Sequence, residues 1–206
     1  MRIPERACAL DRGWMLVLNY ETGRTSLLAP AAANRWRGAS TVLPVPRVPW
    51  EPSWSTHEVP LGWEAPRRTS GRALVTGGLG VLTMLIVARA GARHKRMRRM
   101  VSLVRLASAV TRREASAVHA EEAVAAVQHF GFLPGRMACL ESSVATVVAL
   151  ALEGRAVTWH HGVRCDPIVL HAWISVGGVP VAEPPSTLRC TPLLTIASKR
   201  TRKTHE

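Results

Sequence analysis

Acid is what this sequence has least of. Only 14 of its 206 residues are aspartate or glutamate, against 27 lysines and arginines, and only Asp11 and Asp166 are aspartates. Any chemistry that needs a carboxylate therefore has few candidates. The four cysteines, Cys8, Cys139, Cys165 and Cys190, are widely spaced and form no C-x-x-C pair. That argues against a zinc ribbon or a thioredoxin-type redox centre, and neither a metal nor a cofactor is expected. No apolar stretch precedes Trp14, so no signal peptide is read, and the expectation is a cytosolic chain with free thiols. No internal repeat is evident. There is no RRM, zinc-finger or homeodomain signature either.

What is present is enough to fold. Hydrophobic residues make up 47% and charged residues 20%, which suits a packed core and argues against wholesale disorder. The length fits one full domain plus a small one. A net charge of +13 predicts attraction to an acidic partner, whether nucleic acid, an anionic membrane face or an acidic peptide, without choosing among them. The charge is concentrated in RHKRMRR, from Arg93 to Arg99, and in a second cluster from Lys199 to Lys203. Just before the first cluster, Ala73 to Ala88 form 16 residues without a charge. A membrane span needs about 20. The run reads as a partly buried helix, and a peripheral membrane contact through the following basic run is favoured over a span.

The pattern along the chain separates three parts. Residues 1–40 hold two strand candidates, WMLVLNY and RTSLLA, joined at E-T-G, then a short helix opening at Pro30. Residues 41–72 are a connector whose six prolines exclude regular helix and central strand, with Trp50, Trp54 and Trp63 as anchors on a neighbour. Residues 73–206 begin helically. Met100, Val101, Leu103, Val104, Leu106 and Ala107 mark one helical face. After the turn at Pro134 and Gly135, CLESSVATVVALALEG reads as a helix that stops at Gly154. Three strand candidates follow, RAVTWHHGV, IVLHAWISV and VPVAE, with Gly177 and Gly178 signalling a hairpin. The expected class is α+β: one helix packed on an antiparallel sheet.

That helix and hairpin hold the residues with chemistry. A thiol is a useful nucleophile at neutral pH only when partly ionised, and a helix N-terminus and a nearby imidazole both favour the thiolate. Cys139 falls at the predicted helix start, where backbone N–H groups could also hold an oxyanion. His171 sits mid-strand in an apolar run and needs a partner to orient it. Glu183 on the next strand can be that partner, depending on register. A two-residue loop at Gly177 and Gly178 pairs Val176 with Val179 and puts His171 and Glu183 on opposite faces. A three-residue loop, or a bulge at Gly178, pairs Trp173 with Glu183 and puts both on one face. A Cys139–His171–Glu183 triad is therefore expected to need the odd-length loop. Asp166, read as a loop residue before Pro167, is the alternative third member. Cys8, Cys165 and Cys190 are expected to be inert.

These residues also carry a resemblance. C-L-E-S-S from Cys139, G-V-R at Gly162 to Arg164, Pro167, H-A-W at His171 to Trp173 and G-x-x-V-x-E ending at Glu183 resemble the C-terminal domain of lasso peptide B proteins. These are leader peptidases of the transglutaminase-like, papain-related superfamily. The resemblance covers roughly the last 70 residues. It implies a transglutaminase-like cysteine protease fold with Cys139 as nucleophile, His171 as general base and Glu183 as orienting acid, where the family often has aspartate. More faintly, V-L-N at Val17 to Asn19, T-G-R at Thr22 to Arg24, L-L-A-P at Leu27 to Pro30 and N-R-W at Asn34 to Trp36 resemble the winged-helix, PqqD-like leader-recognition domain, here truncated.

The function this implies is a cysteine endopeptidase that removes the leader from a ribosomally made precursor. The implied partners are the precursor, a separate leader-recognition protein and an asparagine-synthetase-like cyclase. The competing readings are an acyltransferase on the same scaffold and a basic nucleic-acid-binding protein built around RHKRMRR.

Overall fold

The structure is a computed structural model and describes residues 5–36, 42–45, 69–130, 137–165 and 168–197. The Pro/Trp-rich part of the connector, with Trp50, Trp54 and Trp63, lies outside the described residues, as do Pro134 and Gly135, Asp166 and Pro167, and the Lys199–Lys203 cluster.

The centre of the fold is the helix α5 (Cys139–Leu152). Eight consecutive residues, Ser143 to Leu150, are buried, so the helix is enclosed on every side. Gly154, with φ +71, ends it in the left-handed conformation that suits glycine, as the sequence predicts. Three helices surround it: α2 (Gly71–Arg89), α3 (Arg96–Val110) and α4 (Ala117–His129). The uncharged run is therefore a packed helix. Its glycines, which argue against helix on propensity alone, serve close approach. A Cβ on Gly77 would lie 2.8 Å from the Ala126 Cβ, and one on Gly80 would lie 2.5 Å from the Ala145 carbonyl oxygen. Arg99 closes the end of α2 by donating to the carbonyls of Val87, Ala88 and Ala92. On α3 the expected buried face holds at Met100, Val101, Val104 and Ala107, but Leu106 is exposed, one position off it.

Against α5 lies a four-stranded sheet in the order β10 (Thr191–Ile196), β7 (Thr158–Cys165), β8 (Ile168–Val176), β9 (Val179–Pro180). All described pairings are antiparallel. Trp159 anchors the two layers: it is fully buried and its indole N–H donates to Ser143 Oγ on α5 at 3.0 Å. β10 is absent from the sequence reading because Pro192 interrupts it. The strand tolerates that proline because it is an edge strand with a register irregularity between Pro192 and Leu194. The β10 backbone there approaches β7 so closely that a Cβ on Gly162 would meet the Thr191 carbonyl oxygen at 2.5 Å. Two short strands, β5 (Arg113–Glu114) and β6 (Arg155–Ala156), pair in parallel.

The N-terminal segment builds its own sheet: β1 (Glu5–Ala9), β2 (Met15–Asn19), β3 (Arg24–Leu28) and β4 (Val42–Pro44), in the order β3-β2-β1-β4, with the short helix α1 (Pro30–Ala33). β2 and β3 match the two strand candidates, whereas β1 and its parallel partner β4 carry no sequence signal strong enough to be read. Alternation along the strands splits their side chains between two cores. Cys8, Leu16, Leu18 and Tyr20 join the main core with α2, α3 and α5, while Ala7, Met15, Val17 and Ala33 form a smaller one. The chain is thus α+β, with one continuous core linking the N-terminal sheet to the helical and C-terminal layers.

Candidate active site

Cys139 occupies the first turn of α5, after the cap residue Ala138. Alanine has no capping oxygen, so Glu141 takes over part of that work: its carboxylate accepts the Ala138 N–H at 2.6 Å and pairs with Arg96. This fixes the helix start and with it the position of the thiol.

β8 carries the imidazole. The Ile174 carbonyl accepts the Val181 N–H at 3.1 Å, so this carbonyl faces the β9 edge. Alternation puts the Ala172 amide on the same edge. β9 pairs only with Ser175 and Val176, which leaves Ala172 beyond its reach, and the Cys139 sulfur takes the Ala172 N–H instead. The same sulfur shares a hydrogen bond with the His171 ring. The other side of the ring is held by Glu183: His171 Nε2 and Glu183 Oε2 lie 2.7 Å apart. Glu183 Oε2 also accepts from the Thr187 hydroxyl at 3.0 Å, and Thr187 is buried.

The loop that makes this possible is not the expected one. Gly177 (φ +57) and Gly178 (φ +83) form a two-residue turn, and Val176 pairs with Val179. Simple alternation from that register would turn Glu183 away from His171. Instead, regular pairing stops at Pro180, and Ala182 adopts φ +51. One left-handed residue resets the alternation, and Glu183 arrives on the His171 side. The requirement for an odd-length loop is therefore wrong, although the His171–Glu183 contact it was meant to explain is present. The reset was invisible in the sequence because a non-glycine residue rarely takes that conformation. Thr187 carries little signal of its own in the sequence, only its position four residues after Glu183, beyond two prolines.

The electrostatics follow from these contacts. Burial works against the Cys139 thiolate, but the hydrogen bonds from His171 and the Ala172 N–H, the His171 charge and the Leu140 N–H outweigh it, so its pKa lies below the usual 9.0. Burial also opposes charge on His171, yet hydrogen bonds to Cys139 and Glu183 and their charges push it up to about 9. Both shifts favour thiolate with imidazolium over the neutral thiol and imidazole. Trp173 backs the His171 ring as a parallel ring at 5.8 Å, and His160 stacks on the same indole at 5.1 Å. Such an arrangement can deliver a thiolate to an electrophilic carbonyl and a proton to a leaving group.

The remaining thiols differ. Burial raises Cys8 to about 11. Burial also raises Cys190, with Arg164 opposing and the charges of Glu183 and Cys139 adding to the rise, so Cys190 lies close to the site. All four cysteines are free thiols. Among the described residues, no group of three or more histidine, cysteine or acidic side chains is placed to hold a metal.

The family model of the transglutaminase-like superfamily matches residues 83–195, more than half of the chain and all of α3, α4, α5 and the described site. None of the curated proteins and none of the solved structures compared with the chain matches it.

Proposed function

The chain belongs to the transglutaminase-like superfamily, and on that premise we propose that it is a cysteine endopeptidase that removes the leader peptide from a ribosomally made precursor in lasso peptide maturation. The superfamily includes cysteine peptidases and acyltransferases. The observation that carries the reading is a single thiol at a helix N-terminus, hydrogen-bonded to an imidazole that a carboxylate holds from behind. The finer assignment, to a leader peptide, rests on the spacing of C-L-E-S-S, G-V-R, H-A-W and the glutamate ending G-x-x-V-x-E.

In this reading Cys139 attacks the carbonyl carbon at the leader's C-terminal residue. The C–N bond breaks, the amine leaves with the proton held by His171, and the leader remains as a thioester. His171 then takes a proton from water, the hydroxide displaces sulfur, and the leader acid departs. Glu183 keeps Nε2 protonated and directed, and so leaves the opposite nitrogen to the thiol. The Cys139 amide in the first turn of the helix is a donor for the oxyanion. The precursor is the substrate, and a separate recognition protein and an asparagine-synthetase-like cyclase are the proposed partners. A separate recognition protein fits the N-terminal sheet, one face of which packs into the main core.

The test is mass spectrometry of a cognate precursor incubated with the protein and the recognition partner. Hydrolysed leader should form with the wild type and be abolished by Cys139→Ala. Leader joined to an added amine in preference to water would move the reading to acyl transfer. Leader release that survives Cys139→Ala would remove the peptidase assignment.

A further inference from the structure

The outer ridge of α2 is the largest feature that the site leaves unexplained. Its inner face is committed through Gly77 and Gly80 to α4 and α5. Its outer face is a row of aliphatic side chains at alternating steps of four and three: Val75 is 62% exposed, Leu79 46%, Leu82 53% and Ile86 59%. Arg72 and Arg89 continue the same row at its two ends, both exposed. Beyond Arg89 the chain turns through Arg93, His94 and Lys95, all exposed. Arg96 and Arg98 are occupied by Glu141 and Glu21, Arg99 by the end of α2, and Arg72 lies 4.0 Å from Glu153, so the outward charge is carried chiefly by Arg89, Arg93 and Lys95. Between Ala65 and Arg113 the sequence contains no aspartate or glutamate.

We propose that this ridge docks the protein on an anionic lipid surface, with α2 lying in the plane of the interface. Four aliphatic side chains with arginines at both ends match a surface that is apolar just beneath a layer of negative headgroups. The arginine stems can lie along the apolar row while their guanidinium groups reach phosphate. A nucleic acid would meet the charge but offer nothing to the aliphatic row. A partner helix would meet the row, but helix pairs of fixed register are flanked by charges of both signs, and α2 itself and the turn that follows it carry only basic ones. Because α2 is locked to α4 and α5, the protein lies on the surface by one ridge and does not thread the helix through the bilayer. This inference stands independently of the peptidase reading.

The test is co-sedimentation with phosphatidylcholine vesicles, with and without phosphatidylglycerol. Binding is expected only with phosphatidylglycerol, and it should weaken steeply as salt is raised. Leu79→Gln/Leu82→Gln and, separately, Arg93→Gln/Lys95→Gln should each reduce binding on the order of tenfold or more. The second pair lies outside the packed helix and so keeps the test decisive if the first pair misfolds. The rate of Cys139 alkylation should be unchanged in both. Failure of the wild type to bind phosphatidylglycerol vesicles would overturn the proposal. So would binding that neither pair alters, or a solution dimer that Leu79→Gln/Leu82→Gln dissociates, because the ridge would then serve a second copy of the chain.

Discussion

β7 presents His161 and β8 presents His171, and strand alternation sends the two to opposite faces of one sheet. His161 pairs in register with Ala172, so it shares the face that carries Trp159 and Ile174, and it is 4% exposed. His171 pairs with Gly162 and shares the other face with Trp173. Burial is the largest influence on both, and it pushes both down. His161 ends at about 4, whereas His171 ends at about 9. What differs is the company. His161 meets the Tyr20 hydroxyl at 2.8 Å, and burial drives that phenol further towards its neutral form. His171 meets a thiol and a carboxylate, which together outweigh burial. Charge among the neighbours, not depth, decides which imidazole becomes an acid–base group and which becomes core. The two also act on each other, since a charged His171 makes His161 harder to protonate.

The comparison breaks most visibly if the two histidines are exchanged in importance. His171→Ala removes the thiolate's partner and the leaving amine's proton donor, so leader cleavage should fall on the order of 10⁴-fold, close to the loss in Cys139→Ala. His161→Gln should cost stability and leave kcat/KM within roughly tenfold at a temperature where the protein is folded. The reverse ranking would place the chemistry on the wrong face of the sheet. Next in size is Glu183→Gln, with an expected loss of roughly 10- to 1000-fold. It should also move the alkaline limb of the pH profile. His171 is held above its ordinary 6.5, so the imidazolium half of the ion pair is lost as pH rises through about 9. Without the carboxylate this limb should shift to lower pH. Thr187→Val removes only the hydroxyl that steadies Glu183, so its effect should be smaller and in the same direction.

Much of this site is legible in the sequence. Cys139 begins its helix where the apolar pattern starts, β8 spans Ile168–Val176 as read, and Gly154 and the Gly177–Gly178 pair mark their stops as glycines do. The illegible parts share a physical reason. Ala182 breaks the register by a conformation that alanine ordinarily avoids, and β10 contains a proline that reads as a breaker until the strand is known to be an edge. Leu106 fits a helical face on spacing, but only packing decides where that face ends. Tyr20 and His161 lie 141 residues apart, and nothing local announces that they meet.

The core histidine gives a prediction in stability. His161 is held below 6.5 in the folded state, so between pH 6.5 and about 4 the unfolded chain binds a proton that the folded chain does not. Stability should therefore fall with pH across that window, by roughly 3 kcal/mol from this group at the acid end. His160, also pushed down to about 4 by burial, should add to the same loss. The opposite sign holds for His171: its contribution is complete below pH 6.5 and disappears as pH rises through about 9. Denaturant midpoints of the wild type and His161→Gln, taken at pH 7 and pH 5, separate the two. The variant should lose less than the wild type on acidification. Equal losses would mean that His161 is not the acid-sensitive group.

Ala182 bears on how the two faces come to differ at all. Glu183 reaches His171 only because Ala182 sits at φ +51, a conformation that costs an alanine about 1 kcal/mol and a β-branched residue more. Ala182→Gly removes that strain but gives the unfolded chain more freedom. The two nearly cancel, so the unfolding free energy from denaturant titration should stay level or rise by less than about 1 kcal/mol, with cleavage unchanged. Ala182→Val pulls the other way: valine favours an extended backbone, and an extended residue 182 restores plain alternation from the Val176–Val179 pair. Glu183 would then turn from His171, and the pH profile of Ala182→Val should shift as that of Glu183→Gln does. If Ala182→Val keeps the wild-type alkaline limb, the kink does not orient the acid, and the bond between Glu183 and His171 must be held by Thr187 and the turn of Pro185–Arg189 instead.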